Sequence, residues 1–176
     1  MHILMSWLGN ADLRAADDAV GLSGPIGQAV AHEKYDKLVL LADQPKGQVE
    51  GYLRWLKAEG GPDCQLVQVK LPSPTDFRGI YKAAVSAIDS VMEGKGKSPD
   101  LTFHLSPGTP AMQAVWIILG RTRAAARLIQ SSKEQGVQEA DVPFDIAAEF
   151  IPDLVDAADK KRREGSAERA PEAAGF

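Results

Sequence analysis

The residues best suited to bind a ligand form the turn Ser106–Pro110, which separates a short apolar segment from a longer one. Gly108 lets the backbone approach a ligand closely or adopt a positive φ angle. Pro110 suits the first turn of a helix, where the free N–H groups and the helix dipole attract anions. Ser106 and Thr109 add hydroxyl groups. The alternative is a plain strand-to-helix turn in which Thr109 is only the N-cap.

A second candidate follows the first apolar segment, where Ser6, Trp7, Gly9 and Asn10 stand close together. The stretch Leu8–Leu22 is polar and contains glycine, so we expect a loop, and loops of this length are often functional. Neither candidate is a Walker loop or a GxGxxG motif. With the strand order 3-2-1-4-5, the loops after strands one and four flank the switch point where open α/β sheets bind ligands. The two candidates are therefore predicted to form one site.

Other polar residues follow strands at the same predicted edge of the sheet. Each of them is also suited to a cap or a turn, and the cations could offset phosphate charge or simply lie at a helix C-terminus. These weaker candidates are Asp43, Ser73, Thr75, Asp76, Gln130, Ser131, Ser132 and Lys133, with Arg14, Arg121 and Arg123 as further cations.

No residue pattern indicates catalysis or metal binding. The histidines lack metal-ligand spacing, and His2 and His104 are expected to be hydrogen-bonded residues of central strands. Ser106 has no Gly-x-Ser-x-Gly elbow around it. The lone cysteine, Cys64, excludes an internal disulfide. We therefore predict no catalytic residue, no metal site and no resident cofactor.

Strand-like and helix-like segments alternate along the chain. This alternation predicts an α/β fold with a mostly parallel, doubly wound sheet of five to six strands and helices on both faces. The expected helices begin at Pro25, cover Gln48–Glu59, begin again at Thr75 or Asp76, and cover Ala111–Leu119. The expected strands are His2–Trp7, Lys37–Ala42, Gln65–Leu71, Leu101–Leu105 and Ala126–Gln130, with a short sixth at Glu139–Val142 of uncertain direction.

Composition limits the class of protein. The 176 residues are 44% hydrophobic and 25% charged, with a formal net charge of −4. That balance is typical of one globular domain and gives no argument for DNA or an acidic membrane as a partner. The N-terminus does not resemble a signal peptide, and no apolar run approaches a membrane span, so we expect a cytoplasmic protein. Residues 1–155 are predicted to form the domain, and residues 156–176 a charged linker.

The segment LSPGTPAM resembles the fourth-strand motif of CARF domains, the Rossmann-like sensors of CRISPR and related defence systems. Ser106, Gly108, Thr109 and Met112 match that motif in kind and order. Pro107 and Pro110 depart from it, and Pro110 replaces the lysine that is usual there. The segment from Ser6 to Asn10 is similar to the second CARF ligand loop in position only.

Residues 1–155 also resemble the N-terminal sensor of sigma-54-dependent activators of the RtcR type, in the segments SPTDF, QSS, VPFDI and EFIPDL. The resemblance implies a Rossmann-like, CARF-like fold and a homodimer with a ligand across its two-fold axis. That ligand would be a cyclic oligoadenylate or an RNA-derived nucleotide. It also implies that an AAA+ ATPase and DNA-binding modules follow the linker.

Two alternatives stay open beside the sensor: a ring nuclease that cleaves cyclic oligoadenylate, and a dimerisation module without a ligand. For the sensor, the expected ligand contacts are Ser6, Trp7, Gly9, Asn10, Ser106, Pro107, Gly108, Thr109, Met112, Gln130 and Ser131.

Overall fold

A computed structural model describes residues 1–18, 21–93 and 97–143. The strands are β1 (His2–Trp7), β2 (Lys37–Ala42), β3 (Cys64–Gln68), β4 (Asp100–His104), β5 (Arg127–Ser132) and β6 (Gly136–Glu139). The helices are α1 (Asn10–Asp18), α2 (Gly24–His32), α3 (Lys46–Ala58), α4 (Phe77–Met92) and α5 (Pro110–Thr122). The predicted domain boundary between residues 155 and 156 lies outside the described residues.

The six strands form one sheet in the order β3-β2-β1-β4-β5-β6. Strands β1 to β5 pair in parallel, and β6 pairs antiparallel to β5. The predicted α/β class and the assumed order 3-2-1-4-5 are both confirmed. The sixth strand starts earlier than Glu139, because Gly136, at a φ of 68°, closes a tight turn after β5.

The central strand β1 is buried on both faces, as expected for a parallel sheet covered by helices. On one face, Ile3, Met5 and Trp7 belong to a core shared with α4 and α5. On the other, Leu4 belongs to a core shared with α2 and α3. Burying each large apolar side chain contributes about 1.5–3 kcal/mol, so the two cores hold the carboxyl ends of the strands in place.

The expected loop over Leu8–Leu22 is wrong, because α1 occupies Asn10–Asp18. The helix begins where the Gly9 carbonyl accepts the amide N–H groups of Asp12 and Leu13, at 3.1 and 3.2 Å. Its apolar contribution to the core is small, since among its larger side chains only Leu13 packs there. A helix with so short an apolar stripe resembles a polar loop in sequence.

In the described part of the chain, no helix combines the length and the apolar character needed to cross a membrane.

Candidate functional site

Two glycine turns meet at the carboxyl edge of the sheet, one after β1 and the other after β4. These strands are parallel neighbours, and the order of the sheet reverses between them. A Cβ atom on Gly9 would lie 3.1 Å from the amide nitrogen of Gly108 and 3.4 Å from the Cα of Pro107. The two backbones therefore approach so closely that a side chain at Gly9 would push them apart.

Gly108 takes the positive φ angle expected of it, at 92°. A Cβ there would lie 2.6 Å from Met112 Sδ and 3.2 Å from the Cβ of the buried Trp7. The backbone of Gly108 is exposed at the mouth of the turn. Glycine is thus required for both the conformation and the space at this position.

Thr109 is the N-cap of α5, so the capping interpretation holds for its hydroxyl. The Oγ1 atom accepts the Met112 amide N–H at 3.4 Å and donates to the Pro74 carbonyl at 2.8 Å. The Thr109 amide N–H points to Met112 Sδ at 3.4 Å. Within the described residues, the amide N–H groups of Asn10, Ala11 and Gly108 have no hydrogen-bond partner. These three residues line the same space.

That space, called the first cleft here, has a volume of about 380 Å³. Among the described residues that line it there is no Lys, Arg or His, and its one charged side chain is Asp43. Anion binding in the first cleft would therefore rest on backbone N–H groups and the N-terminal ends of helices. The lining residues are Leu8, Gly9, Asn10, Ala11, Pro25, Asp43, Gln44, Pro74, Ser106, Pro107, Gly108, Thr109 and Met112.

A buried carboxylate, Asp12, binds the Gly9 turn that borders the first cleft. Its side chain is 0% exposed; Oδ2 accepts the Gly9 amide N–H at 3.2 Å and Oδ1 accepts the Ile26 amide N–H at 2.8 Å. Burial raises the pKa of Asp12 to about 7, although these N–H groups oppose the shift. Asp12 thereby ties α2 to the Gly9 turn. Its role was missed because the helix that carries it was predicted as a loop.

Seven of the expected contacts line the first cleft, and four do not. Ser6 and Trp7 are fully buried in the sheet, where the Ser6 hydroxyl donates to the Trp7 carbonyl at 3.1 Å. Gln130 is exposed on β5 and lines no part of the first cleft, whereas Ser131 lines a neighbouring one. The seven that come together are Gly9, Asn10, Ser106, Pro107, Gly108, Thr109 and Met112.

Ser106 and Ser131 link the ends of β4 and β5. Ser106 Oγ accepts the Ser131 amide N–H at 2.6 Å and donates to the Ser131 carbonyl at 3.0 Å. The Ser131 hydroxyl lies 2.7 Å from His104 Nε2. Burial lowers the pKa of His104 to about 3, so the imidazole is neutral at pH 7. The expectation that His104 is a hydrogen-bonded core residue is confirmed.

The chain was compared with known proteins by sequence and by structure. No protein-family model matches it, and neither does any curated protein sequence. Solved structures do match its fold. Csm6 from Enterococcus italicus, bound to cyclic hexa-2'-fluoro-hexa-dAMP, has a TM-score of 0.62 at 19% identity over 78% of this chain.

Two further structures are similar. Can2 from Sulfobacillus thermosulfidooxidans, in complex with cyclic tetra-adenylate, has a TM-score of 0.55 at 15% identity over 79% of this chain. A type III CRISPR defence DNA nuclease activated by cyclic oligoadenylate has a TM-score of 0.51 at 18% identity over 80% of it. The match spans only 35%, 34% and 21% of those three proteins, in the order given. The chain therefore has the CARF-like Rossmann fold that its sequence resembles.

Proposed function

We propose that this domain is a cytoplasmic sensor that binds a phosphate-bearing nucleotide ligand, foremost a cyclic oligoadenylate, in the first cleft. The observation that carries the proposal is the meeting of the Gly9 and Gly108 turns, with open amide N–H groups, at the switch point of the sheet. Open α/β sheets bind ligands at that place. Csm6, bound to cyclic hexa-2'-fluoro-hexa-dAMP, and Can2, in complex with cyclic tetra-adenylate, share the fold and support this choice of ligand. An RNA-derived nucleotide offers the same phosphate chemistry.

Binding would use shape and backbone dipoles more than ion pairs. Pro110 offers no N–H and no charge where CARF motifs usually have a lysine, and Asp43 is the one charged side chain among the described residues that line the first cleft. The amide N–H groups of Asn10, Ala11 and Gly108 are the donors available to a phosphate. A ligand whose charge is spread over several phosphates fits this cleft better than a compact, highly charged one.

The domain is proposed to act as a homodimer through exposed apolar side chains of α4 and α5. Phe77 and Tyr81 of α4 are 57% and 48% exposed, and Ile118 of α5 is 43% exposed. Phe77 and Tyr81 are four residues apart and so lie on one face of α4, and exposed apolar side chains that stand together favour contact with another protein surface. Helix α5 begins at the Gly108 turn, and Pro74, just before α4, lines the first cleft. A second copy on this face would thus contact the helices that border the ligand.

In the full-length protein, the sensor would control an attached AAA+ ATPase followed by DNA-binding modules, as in sigma-54-dependent activators of the RtcR type. Ligand binding would favour one arrangement of the two protomers over another and so change the activity of the ATPase. The resemblance of the sequence to such sensors supports this context.

The test is a thermal-shift and native-mass screen of the chain against cyclic oligoadenylates of several ring sizes and short RNAs with varied ends. A ligand at about 100 times its Kd adds roughly 2.7 kcal/mol to the free energy of unfolding. For a domain of this size, that corresponds to a rise in Tm of very roughly 5–10 °C. We expect one ligand class to give this rise, with one ligand bound per two chains.

Each alternative has its own outcome in the same screen. Disappearance of the cyclic ligand, with linear products in the mass spectrum, would make the domain a ring nuclease. A dimer that no nucleotide stabilises would make it a dimerisation module and would refute the sensor proposal.

A further inference from the structure

A second cleft, of about 480 Å³, lies beside the first at the same edge of the sheet. The two clefts share Ala11 and Pro25 in their linings, so they are neighbours across the starts of α1 and α2. Its floor is the end of β5 and the turn that follows. The residues that distinguish this second cleft are Arg14, Ser23, Gln28, Ser131, Ser132 and Lys133.

The two clefts differ in charge. Counted over the described lining residues, the first has one charged side chain, Asp43, whereas the second has two cations, Arg14 and Lys133, against one carboxylate, Asp18. Neither cation forms an ion pair with any residue that the structure describes. Both side chains are exposed and so are available to a ligand. The first cleft lacks a lysine at Pro110, but the second cleft has positive charge.

Polar groups in the second cleft also lack partners. Ser23 Oγ and Gln28 Oε1 are buried and make no hydrogen bond with the described residues. Buried polar groups are normally satisfied, and these two are among nine buried side-chain atoms that lack a partner in the described part of the chain; Gln44 Oε1, in the lining of the first cleft, is another. Each of the two side chains in the second cleft also has a hydrogen-bond donor for a phosphate oxygen, the hydroxyl of Ser23 and the amide NH₂ of Gln28.

We infer that the second cleft binds a further phosphate group of the same ligand, with Arg14 and Lys133 as its cations. The ligand is then an oligonucleotide with at least two phosphates: one against the amide N–H groups of the first cleft, the other in the second. This inference rests on the proposed function and specifies the class of its ligand. A nucleoside monophosphate has a single phosphate and so cannot place one in each cleft.

The test compares the unmodified chain with the double variant Arg14→Gln/Lys133→Gln by calorimetry with cyclic tetra-adenylate. The matched control is Arg54→Gln/Lys57→Gln, which removes the same charge from exposed positions on α3 that line neither cleft. We expect the first pair to weaken binding about tenfold or more at low salt, and the control pair to weaken it less than about twofold. Losing the cations of this one phosphate contact also reduces the slope of log K against log salt by about 0.7.

Several results would overturn the inference. If the Arg14/Lys133 variant binds as tightly as the control while Gly108→Val abolishes binding, the first cleft is the whole site and only this inference fails. If the double variant is monomeric where the unmodified chain is dimeric, and its affinity for the ligand is unchanged, the second cleft contacts a second copy and not the ligand. If neither the unmodified chain nor any variant binds cyclic oligoadenylates or short RNAs, the proposed function fails with it.

Discussion

The two edges of the sheet have similar polar residues but use them differently. At the amino edge, His2 Nε2 lies 3.0 Å from Thr102 Oγ1, and the His2 amide donates to Asp36 at 2.7 Å. Arg127 there binds both Glu33 and Thr102. At the carboxyl edge, the turns at Gly9 and Gly108 leave amide N–H groups without partners among the described residues.

Polar groups that are hydrogen-bonded to one another indicate an edge that stabilises the fold, whereas polar groups without partners indicate an edge that binds a ligand. The amino-edge groups satisfy one another, which fixes the starts of β1, β4 and β5. The carboxyl edge has a cleft, two closely approaching backbones and, among the described residues, amide N–H groups without a partner. An unpaired N–H group destabilises the folded state unless a ligand or water accepts its hydrogen bond. We therefore expect substitutions at the carboxyl edge to change binding, and those at the amino edge to change only stability.

The largest effect is expected from Gly108→Val. The new side chain would meet Met112 Sδ and Trp7 Cβ and would hold a φ of 92° that β-branched residues avoid. We expect affinity for the best ligand of the screen to fall by about a hundredfold or more, measured by calorimetry. Thermal unfolding is the control, and Gly108→Ala provides a milder step. If a folded Gly108→Val variant keeps its affinity, Gly108 does not border the site; if valine unfolds the domain, the affinity of Gly108→Ala decides the question.

An intermediate effect, on the pH dependence of the free energy of unfolding, is expected from Asp12→Asn. This variant removes the buried carboxyl group that binds the Gly9 turn at the carboxyl edge. The pKa of Asp12 in the folded chain is about 7, against an ordinary 3.8, because burial disfavours the carboxylate. The folded state therefore holds more protons than the unfolded state, and stability decreases as pH rises from about 4 to about 7. The largest slope from one such group is about 1.4 kcal/mol per pH unit.

Urea unfolding of the unmodified chain and of Asp12→Asn at several pH values checks this expectation. The difference in free energy between the two should change across that range and level off above pH 8. A difference that stays constant with pH would show that Asp12 titrates at its ordinary value and does not pin the Gly9 turn as a buried acid.

The smallest effect is expected from Arg127→Met at the amino edge. Burial alone would raise the pKa of Glu33, but the hydrogen bond and charge of Arg127 lower it overall. Both side chains are 34% exposed, and pairs of this kind contribute about 0–1 kcal/mol. We expect a loss of stability within that range and unchanged ligand affinity. A marked loss of ligand affinity in Arg127→Met would show that the amino edge also contributes to binding.

Part of this organisation is predictable from sequence because it depends on strong local signals. The apolar segment His2–Trp7 defines the central strand, and Gly108 between two prolines defines the turn into α5. Alternation of strands and helices then predicts the carboxyl edge as the place where the two turns meet. These elements depend on patterns confined to a few neighbouring residues.

The rest depends on tertiary contacts that no local pattern contains. Helix α1 is stabilised by Leu13, which packs against the second core, and by the Asp12 bond to Ile26, which exists only once α2 is in place. For the same reason, Ser6 was expected to contact ligand although it lies within the sheet, and the cations Arg14 and Lys133 were not known to share a cleft. Which side chains reach the ligand and which share a cleft depends on distances between residues far apart in sequence.

The central claim is that a nucleotide binds through the backbone of the two glycine turns. Amide chemical-shift mapping by NMR, with cyclic tetra-adenylate titrated into the ¹⁵N-labelled chain, tests it most directly. We expect the largest shift changes at the amides of Asn10, Ala11 and Gly108, with little change at His2 or Arg127. Saturating ligand that leaves those three amides unmoved, or that moves the amino edge instead, would contradict the claim.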